Sequence, residues 1–226
     1  MKIDRDGAPF IAVSAVPAAA AAMTGHRRLA ALLAVLPLAI GAFFRDPDRP
    51  VDLGATVDAD LVLAPADGKV MHVGVPQDGV APEGEWQQIS IFLALTDVHI
   101  NRTPMGGTVR SVSHRPGRYL AAFTAESAHQ NERSDIVMDV VVDGAPRTVV
   151  FRQIVGMAAR RVVTRIAPGD ELAAGQRIGL MKFGSRMDVF VPLDVSIEVA
   201  VGDRTIAAET VIARWPTTSG RVEAPA

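Results

Sequence analysis

The sequence contains no cysteine, and only three of its 23 basic residues are lysines, Lys2, Lys69 and Lys182. The lack of cysteine excludes disulfides, thiolate nucleophiles and Cys-ligated zinc, but it leaves the compartment open because periplasmic proteins can also lack cysteine. The scarcity of lysine leaves few side chains for Schiff-base chemistry of the pyridoxal phosphate kind. Any carbonyl chemistry in this chain is therefore expected to take its carbonyl group from another source.

Charge and histidine spacing exclude two further classes. The 23 basic and 25 acidic residues give a net charge of −2, so the chain lacks the broad basic surface that drives nucleic-acid binding. The five histidines are scattered and show no metal-ligand spacing. We therefore expect no nucleic-acid partner and no metal.

Two apolar runs of 16 residues, 8–23 and 29–44, flank a short segment that contains His26, Arg27 and Arg28. A helix of that length is about 24 Å long, short of the roughly 30 Å hydrocarbon core of a bilayer. Residues 1–50 are therefore predicted to form a helical hairpin that associates with the cell membrane, as a peripheral or hairpin anchor on the cytoplasmic face. A secretory signal peptide and a buried soluble hairpin are the alternatives, and the basic residues around both runs do not decide the orientation.

After residue 50 the sequence changes to short β-branched segments bounded by Gly, Pro and Asp. We predict strands over 61–63, 69–75, 87–93, 107–113, 135–142, 147–155, 161–166, 176–181, 187–191, 195–201 and 205–213. Closely spaced strands without long helices favour a mainly β barrel or sandwich of largely antiparallel strands over residues 51–226. The polar stretch 114–134 exceeds the usual loop length, which is typical of a functional loop.

The pair Gly184-Ser185 interrupts a segment that otherwise reads as continuous strand. Glycine tolerates unusual backbone conformations, and serine places a hydroxyl one peptide bond away, as an N-to-O acyl shift requires. Such pairs are usually simple turns or bulges, so the interpretation depends on neighbouring motifs. Those motifs are Asp67 in a Gly-flanked turn, His99 at a strand end, and the polar set His114-Arg-Pro-Gly-Arg-Tyr119 with Asn131-Glu132-Arg133.

Taken together, five motifs closely resemble those of the short phosphatidylserine decarboxylase proenzymes, in the same order: ADGKV at 66–70, DVHINRTP at 97–104, HRPG at 114–117, NER at 131–133 and FGSRMDVFVP at 183–192. The resemblance extends over nearly the whole chain, including the apolar head. Two positions depart from many relatives: Arg102 stands where a second histidine is common, and Arg186 stands where other branches have threonine.

The resemblance implies autocatalytic cleavage between Gly184 and Ser185, which leaves a β chain of residues 1–184 and an α chain of residues 185–226 that stay together as a heterodimer. Ser185 would become an N-terminal pyruvoyl cofactor, and the substrate phosphatidylserine would form a Schiff base with it and lose carbon dioxide. His99 is the expected proton acceptor in cleavage and the candidate donor in turnover, with Asp67 stabilising the imidazolium. His114, Asn131 and Arg133 are candidate substrate-binding residues, and a higher oligomer is left open.

A binding module is the main alternative interpretation. ADGKV at 66–70 and the turn at 167–179 also resemble small barrel domains related to lipoyl carriers, which membrane-fusion adaptors use. That interpretation leaves His99, Asn131 to Arg133 and Gly184-Ser185 without a role. It also lacks a lysine on an exposed hairpin.

Overall fold

The computed structural model describes residues 2–124, 126–157, 161–182 and 184–216 and divides the chain into two compact units, 1–48 and 49–226. Phe183, which belongs to the motif at 183–192, and residues 217–226 of the predicted α chain lie outside the described residues. The units divide after residue 48, and the change in composition along the sequence places the division after residue 50.

The N-terminal unit is a pair of helices closed by a small β ladder. Helix α1 spans Ala8–Met23 and α2 spans Arg27–Phe43, and the short strands β1 (Lys2–Ile3) and β2 (Arg45–Asp46) pair antiparallel. Thr24 ends α1 by donating its hydroxyl to the carbonyl of Ala20 at 3.0 Å. The predicted helical hairpin is confirmed: the first apolar run coincides with α1, and the second is shifted by one or two residues.

The surface of this unit is unusually apolar. Val13, Met23, Leu32 and Leu38 are each more than two-thirds exposed. By length and composition, one helical stretch among the described residues, Arg5–Met23, could cross a membrane. An exposed apolar surface of this kind marks a membrane or protein contact.

The second unit is mainly β, as predicted. Its strands are β3 (Leu61–Leu63), β4 (Gly68–Gly74), β5 (Gln87–Leu93), β6 (Ile100–Arg102), β7 (Gly107–Arg115), β8 (Arg133–Val142), β9 (Ala145–Val155), β10 (Val162–Thr164), β11 (Glu171–Leu172), β12 (Arg177–Met181), β13 (Ser185–Val191), β14 (Ser196–Ile197), β15 (Arg204–Thr205) and β16 (Val211–Arg214).

These strands pair antiparallel in three sheets. A curled sheet of eight strands has the order β11-β7-β8-β9-β13-β5-β4-β15, and two three-stranded sheets have the orders β10-β12-β6 and β14-β16-β3. Strand β13 lies near the centre of the large sheet, between β9 and β5. Its first residue, Ser185, pairs with Val155 on one side and Leu93 on the other.

Side chains of β13 alternate between two buried layers, because successive residues of a strand point to opposite faces. Met187 and Val189 belong to the main hydrophobic core on one face. Phe190 packs with Val150 and Ile154 in a smaller cluster on the other face. Both faces of the strand are therefore covered, and every residue of β13 is buried.

The structure corrects several sequence-based boundaries. The strand expected at 187–191 begins at Ser185, and the one expected at 205–213 is two strands, β15 and β16, because Ala208 has a left-handed φ of 60° between them. The stretch 114–134 contains a short helix, α3 (Ser127–Gln130). The short strands β6 and β11 escaped prediction, since two or three residues carry no readable periodicity.

Candidate active site

Gly184 and Ser185 lie where the main chain changes from an irregular conformation into strand β13. Gly184 has a φ of 67°, in the left-handed region, and a Cβ added there would meet no atom within 4 Å. Glycine is thus required for its backbone conformation and not for lack of space. The hydroxyl of Ser185 is fully buried and has no hydrogen-bond partner among the described residues, so its oxygen is not committed to a structural bond.

The carbonyl of Gly184 is held from the neighbouring strand. Gly156, the residue after β9, donates its N–H to the Gly184 oxygen at 3.0 Å. A Cβ on Gly156 would lie 2.4 Å from that same oxygen, so only glycine lets the two backbones approach this closely. Sequence reasoning missed Gly156, although a glycine directly after a strand is a signal of close backbone approach.

His99 contacts the same segment from a different direction. Its Nδ1 lies 2.9 Å from the carbonyl oxygen of Asp97, and its Nε2 accepts the N–H of Gly184 at 3.1 Å. A carbonyl oxygen only accepts hydrogen bonds, so Nδ1 carries the proton. The unprotonated nitrogen, Nε2, therefore faces the residue that precedes Ser185.

The loop that carries His99 is fixed by Asp97, which sequence reasoning did not single out. One carboxylate oxygen of Asp97 accepts the N–H of Ala94 at 2.8 Å, and the other pairs with Arg204 at 2.6 Å. Asp97 is buried, and its main-chain carbonyl is the one that bonds His99. Its position two residues before His99, in the motif DVHINRTP, is the sequence feature that could have identified it.

Asp67 does not contact His99 in this structure. Both of its oxygens accept from Nη2 of Arg49 at 2.8 Å, and one also accepts the N–H of Ala207 at 2.8 Å. The predicted action of Asp67 on the imidazolium stays a prediction, and in this structure Nδ1 of His99 lies against the Asp97 carbonyl. Asp67 instead ties the turn before β4 to Arg49 and to the segment after β15.

The side chain of Asn131 is bonded to main chain. Its side chain is fully buried, donates to the carbonyls of Leu120 and Val155, and accepts the N–H of Leu120. The two bonds to Leu120 lie within the 114–134 segment, and the bond to Val155 joins that segment to the end of β9. Asn131 therefore holds main chain, and its predicted contact with substrate stays a prediction.

Arg133 and His114 lie away from Ser185. Arg133 on β8 lies opposite Ile154 on β9 in the sheet, and Ile154 lies opposite Arg186 on β13. Residues that lie opposite each other point to the same face, so these three side chains lie on the face opposite Ser185. His114 is on strand β7, three strands from β13, or about 14 Å at the usual strand spacing. Its ring is half exposed, with Nε2 3.7 Å from Glu132. The structure thus does not group these two residues with the cleavage pair.

Arg102, at the position where a second histidine is common, is buried and forms an ion pair with Asp52, whose side chain is partly exposed. Its guanidinium donates to both oxygens of Asp52 at 3.1 and 2.7 Å and to the carbonyl of Gly175 at 2.8 Å. Burial raises the pKa of Asp52, but the hydrogen bond from Arg102, the amide of Arg49 and the charges of Arg102 and Arg177 outweigh this and lower it to about 2. Arg102 is therefore a structural cation here.

Arg186, which stands where other branches of the family have threonine, is fully buried on the face opposite Ser185. It donates to Asp188 at 2.6 Å, to Gln77 at 2.6 Å and to Ser90 at 3.0 Å. Its charge is neutralised within the same strand, so the residue stabilises β13 directly beside the Gly184-Ser185 pair.

An apolar pocket of about 140 Å³ opens beside Gly184. Phe92, Leu95, Phe123 and Met157 contribute to its lining. Three of these side chains are mostly exposed, with Leu95 at 57%, Phe123 at 65% and Met157 at 72%. Among the described ranges, no group of three or more His, Asp or Glu residues is arranged to hold a metal ion.

The fold and this site define a β-sheet domain built around a buried serine, a left-handed glycine and a histidine. Residues 37–213 match the family model described as phosphatidylserine decarboxylase. Similar curated proteins include the phosphatidylserine decarboxylase proenzymes of Symbiobacterium thermophilum, 42% identical over 95% of this chain and 96% of the relative, and of Solibacter usitatus, 43% identical over 82% and 86%. The phosphatidylserine decarboxylase proenzyme of Geotalea uraniireducens is 36% identical over 95% of this chain and 97% of the relative.

The chain belongs to the phosphatidylserine decarboxylase family, and it is a decarboxylase of the kind that its relatives' names describe as proenzymes.

Proposed function

We propose that the chain cuts itself between Gly184 and Ser185 and then converts phosphatidylserine to phosphatidylethanolamine and carbon dioxide through a pyruvoyl group made from Ser185. One observation carries the proposal: the uncommitted, buried hydroxyl of Ser185 follows a left-handed glycine whose N–H bonds the unprotonated nitrogen of His99. Family membership supports the substrate and the reaction.

The residues present can carry out the cleavage. Once Nε2 of His99 releases the N–H of Gly184, it takes the Ser185 hydroxyl proton as Oγ attacks the carbonyl carbon of Gly184. The C–N bond then breaks, the nitrogen of Ser185 takes the proton from His99, and an ester links Gly184 to Oγ. His99, neutral again, takes the Cα proton of residue 185 as the Cβ–Oγ bond breaks, and the 1–184 chain leaves with a carboxylate. The dehydroalanine that remains tautomerises to an imine, and addition of water to the imine releases ammonia and leaves the ketone.

Residue 185 is a suitable position for a pyruvoyl group. Its side-chain oxygen has no structural partner among the described residues, so converting the residue sacrifices no observed hydrogen bond of that hydroxyl. A pyruvoyl group supplies an electrophilic ketone that draws electrons from an amine-bearing substrate as carbon dioxide leaves. His99 remains beside it, held by Asp97, as the candidate proton donor.

The strand pairing explains how the two fragments would stay together. Strand β13 of the 185–226 fragment pairs with β9 and β5, β15 pairs with β4, and β16 pairs with β3. All four partners belong to the 1–184 fragment. We therefore expect cleavage to leave an assembled heterodimer.

The apolar pocket beside Gly184 supports a lipid substrate. Phe123 and Met157 expose large apolar side chains at its rim, and an exposed apolar rim suits contact with lipid. The apolar hairpin of residues 1–48 supports attachment to the cell membrane, since α1 and α2 expose large apolar side chains. We propose membrane attachment without assigning a leaflet.

Intact-protein mass spectrometry of the purified chain tests the proposal. The expected result is a fragment that begins at residue 185 and is lighter than the unmodified fragment by one ammonia, together with carbon dioxide release from phosphatidylserine. Ser185→Ala should remain one chain and be inactive. A wild-type chain that stays uncleaved and inactive with phospholipid would reject the proposal and favour a non-enzymatic barrel module.

A further inference from the structure

The peptide unit between Val155 and Gly156 is hydrogen-bonded at both ends. Its N–H donates to the carbonyl oxygen of Gly184 at 3.0 Å, and its carbonyl oxygen, that of Val155, accepts from Nδ2 of Asn131 at 2.8 Å. The first contact is to the carbonyl that self-cleavage would attack. The second comes from a fully buried side chain whose described bonds are all to main chain.

We propose that the Gly156 N–H is the oxyanion donor of self-cleavage and that Asn131 is the residue that positions it. The inference rests on the proposed cleavage at Gly184-Ser185 and deepens it. As the Ser185 oxygen bonds to the Gly184 carbon, the electron pair of the C=O double bond moves onto the oxygen, which becomes negatively charged. A donor already aimed at that oxygen stabilises the charge without reorganising.

Asn131 strengthens this donor in two ways. Two hydrogen bonds to Leu120 fix the Asn131 side chain, and its third bond, to the Val155 oxygen, would break if the peptide plane rotated away from Gly184. Donation to the Val155 oxygen also polarises the peptide and makes its N–H a better donor, as in any chain of hydrogen bonds in a low-dielectric interior.

The absence of a side chain at position 156 is part of the arrangement. A Cβ there would lie 2.4 Å from the Gly184 oxygen and 3.1 Å from its carbon, so any other residue would displace the carbonyl from the donor. Gly156 has no positive φ that would otherwise demand glycine. Its identity is explained by the close approach to the reacting carbonyl.

An amide-to-ester replacement tests the donor without adding an atom that could clash. Glycolic acid incorporated at position 156 in the full-length chain removes the N–H and keeps the residue without a side chain. Self-cleavage of newly made precursor, followed by mass spectrometry, should slow by about 100-fold, the usual effect of losing one oxyanion donor. Cleavage at the wild-type rate would overturn the proposal.

The same replacement at Gly169 is the matched control. Gly169 donates its N–H to the carbonyl of Val109 at 2.8 Å, so that variant also loses one backbone hydrogen bond but at a different strand. It should cleave at the wild-type rate. A wild-type chain that never cleaves would instead reject the proposed function, so the two failures are distinguishable.

The positioning role of Asn131 needs a readout that general destabilisation does not move. In ¹⁵N-glycine-labelled Ser185→Ala precursor, the amide proton of Gly156 reports its hydrogen bond to Gly184. Adding Asn131→Asp should move this resonance upfield, and Asn131→Asp alone should slow cleavage. Slow cleavage with an unchanged Gly156 resonance would show that Asn131 acts only on stability and would overturn its positioning role.

Discussion

The main-chain carbonyl of Asp97 holds the imidazole of His99, 2.9 Å from Nδ1, and thereby leaves Nε2 unprotonated toward Gly184. We expect His99→Ala to slow self-cleavage by about 10²-fold to 10⁴-fold, as loss of a general base does. Fragment release on denaturing gels over time measures this. His72→Ala is the control, because His72 lies on strand β4 and its ring bonds the carbonyl of Val75, the residue after that strand. Equal slowing in both variants would argue against a role for His99.

Gly184→Ala should impair cleavage through the backbone. The φ of 67° is unfavourable for any residue with a Cβ, at a cost of about 1–2 kcal/mol, so the scissile peptide should relax out of its present geometry. Gly169→Ala is matched to it, since Gly169 has a φ of 93° and equally open space. Both variants should lose similar thermal stability, but only Gly184→Ala should cleave more slowly.

The Asp52–Arg102 pair should make the free energy of unfolding depend on pH in the acid range. Because the folded pKa of Asp52 lies at about 2, below its ordinary 3.8, its contribution is complete above pH 4 and is lost as the pH falls toward 2. The shift corresponds to at most about 2.5 kcal/mol, and solvent screening reduces this.

Urea unfolding of Ser185→Ala precursor, with and without Asp52→Asn, measures that contribution at each pH. The free-energy difference between the two should be largest at neutral pH and shrink between pH 4 and pH 2. Asp58→Asn is the control, because Asp58 is an exposed carboxylate in the loop before β3. A difference that stays constant down to pH 2 would contradict the assigned pair.

The buried Arg186–Asp188 pair should show strong non-additivity. Arg186→Met leaves the carboxylate of Asp188 buried without its cation, which typically costs about 3–5 kcal/mol. Replacing both residues, as Arg186→Met with Asp188→Leu, should recover much of that loss. Unfolding free energies of Arg186→Met, Asp188→Leu and the double variant, all in the Ser185→Ala background, form a double-mutant cycle. Additive effects would contradict the pairing.

The exposed side chains of Phe123 and Met157, at the rim of the pocket beside Gly184, should affect the binding of membrane lipid and not self-cleavage. Phe123→Ser combined with Met157→Ser should raise the KM for phosphatidylserine in vesicles by about tenfold, less than the full burial of two such side chains would give. Fragment formation should be unchanged. Leu193→Ser, which alters another exposed side chain, should leave the KM unchanged, and an unaffected KM in the rim variant would exclude lipid contact there.

The sequence by itself determined the apolar hairpin, the mainly β class and the strands 61–63 and 87–93, because these are local patterns of hydropathy and periodicity. It also singled out Gly184, Ser185 and His99, since their residue types and order match short motifs that a single chain displays. Those features depend on neighbours in sequence, and reading them requires no knowledge of packing.

Only the tertiary structure decided which groups meet. Gly156 reaches the Gly184 carbonyl because β9 pairs with β13. The main-chain carbonyl of Asp97 lies at Nδ1 of His99 because the loop geometry places it there. Strand register likewise puts Arg133 on the face opposite Ser185, although both were candidate site residues. Main-chain hydrogen bonds and sheet register depend on residues far apart in the chain, and those contacts leave no local pattern in the sequence.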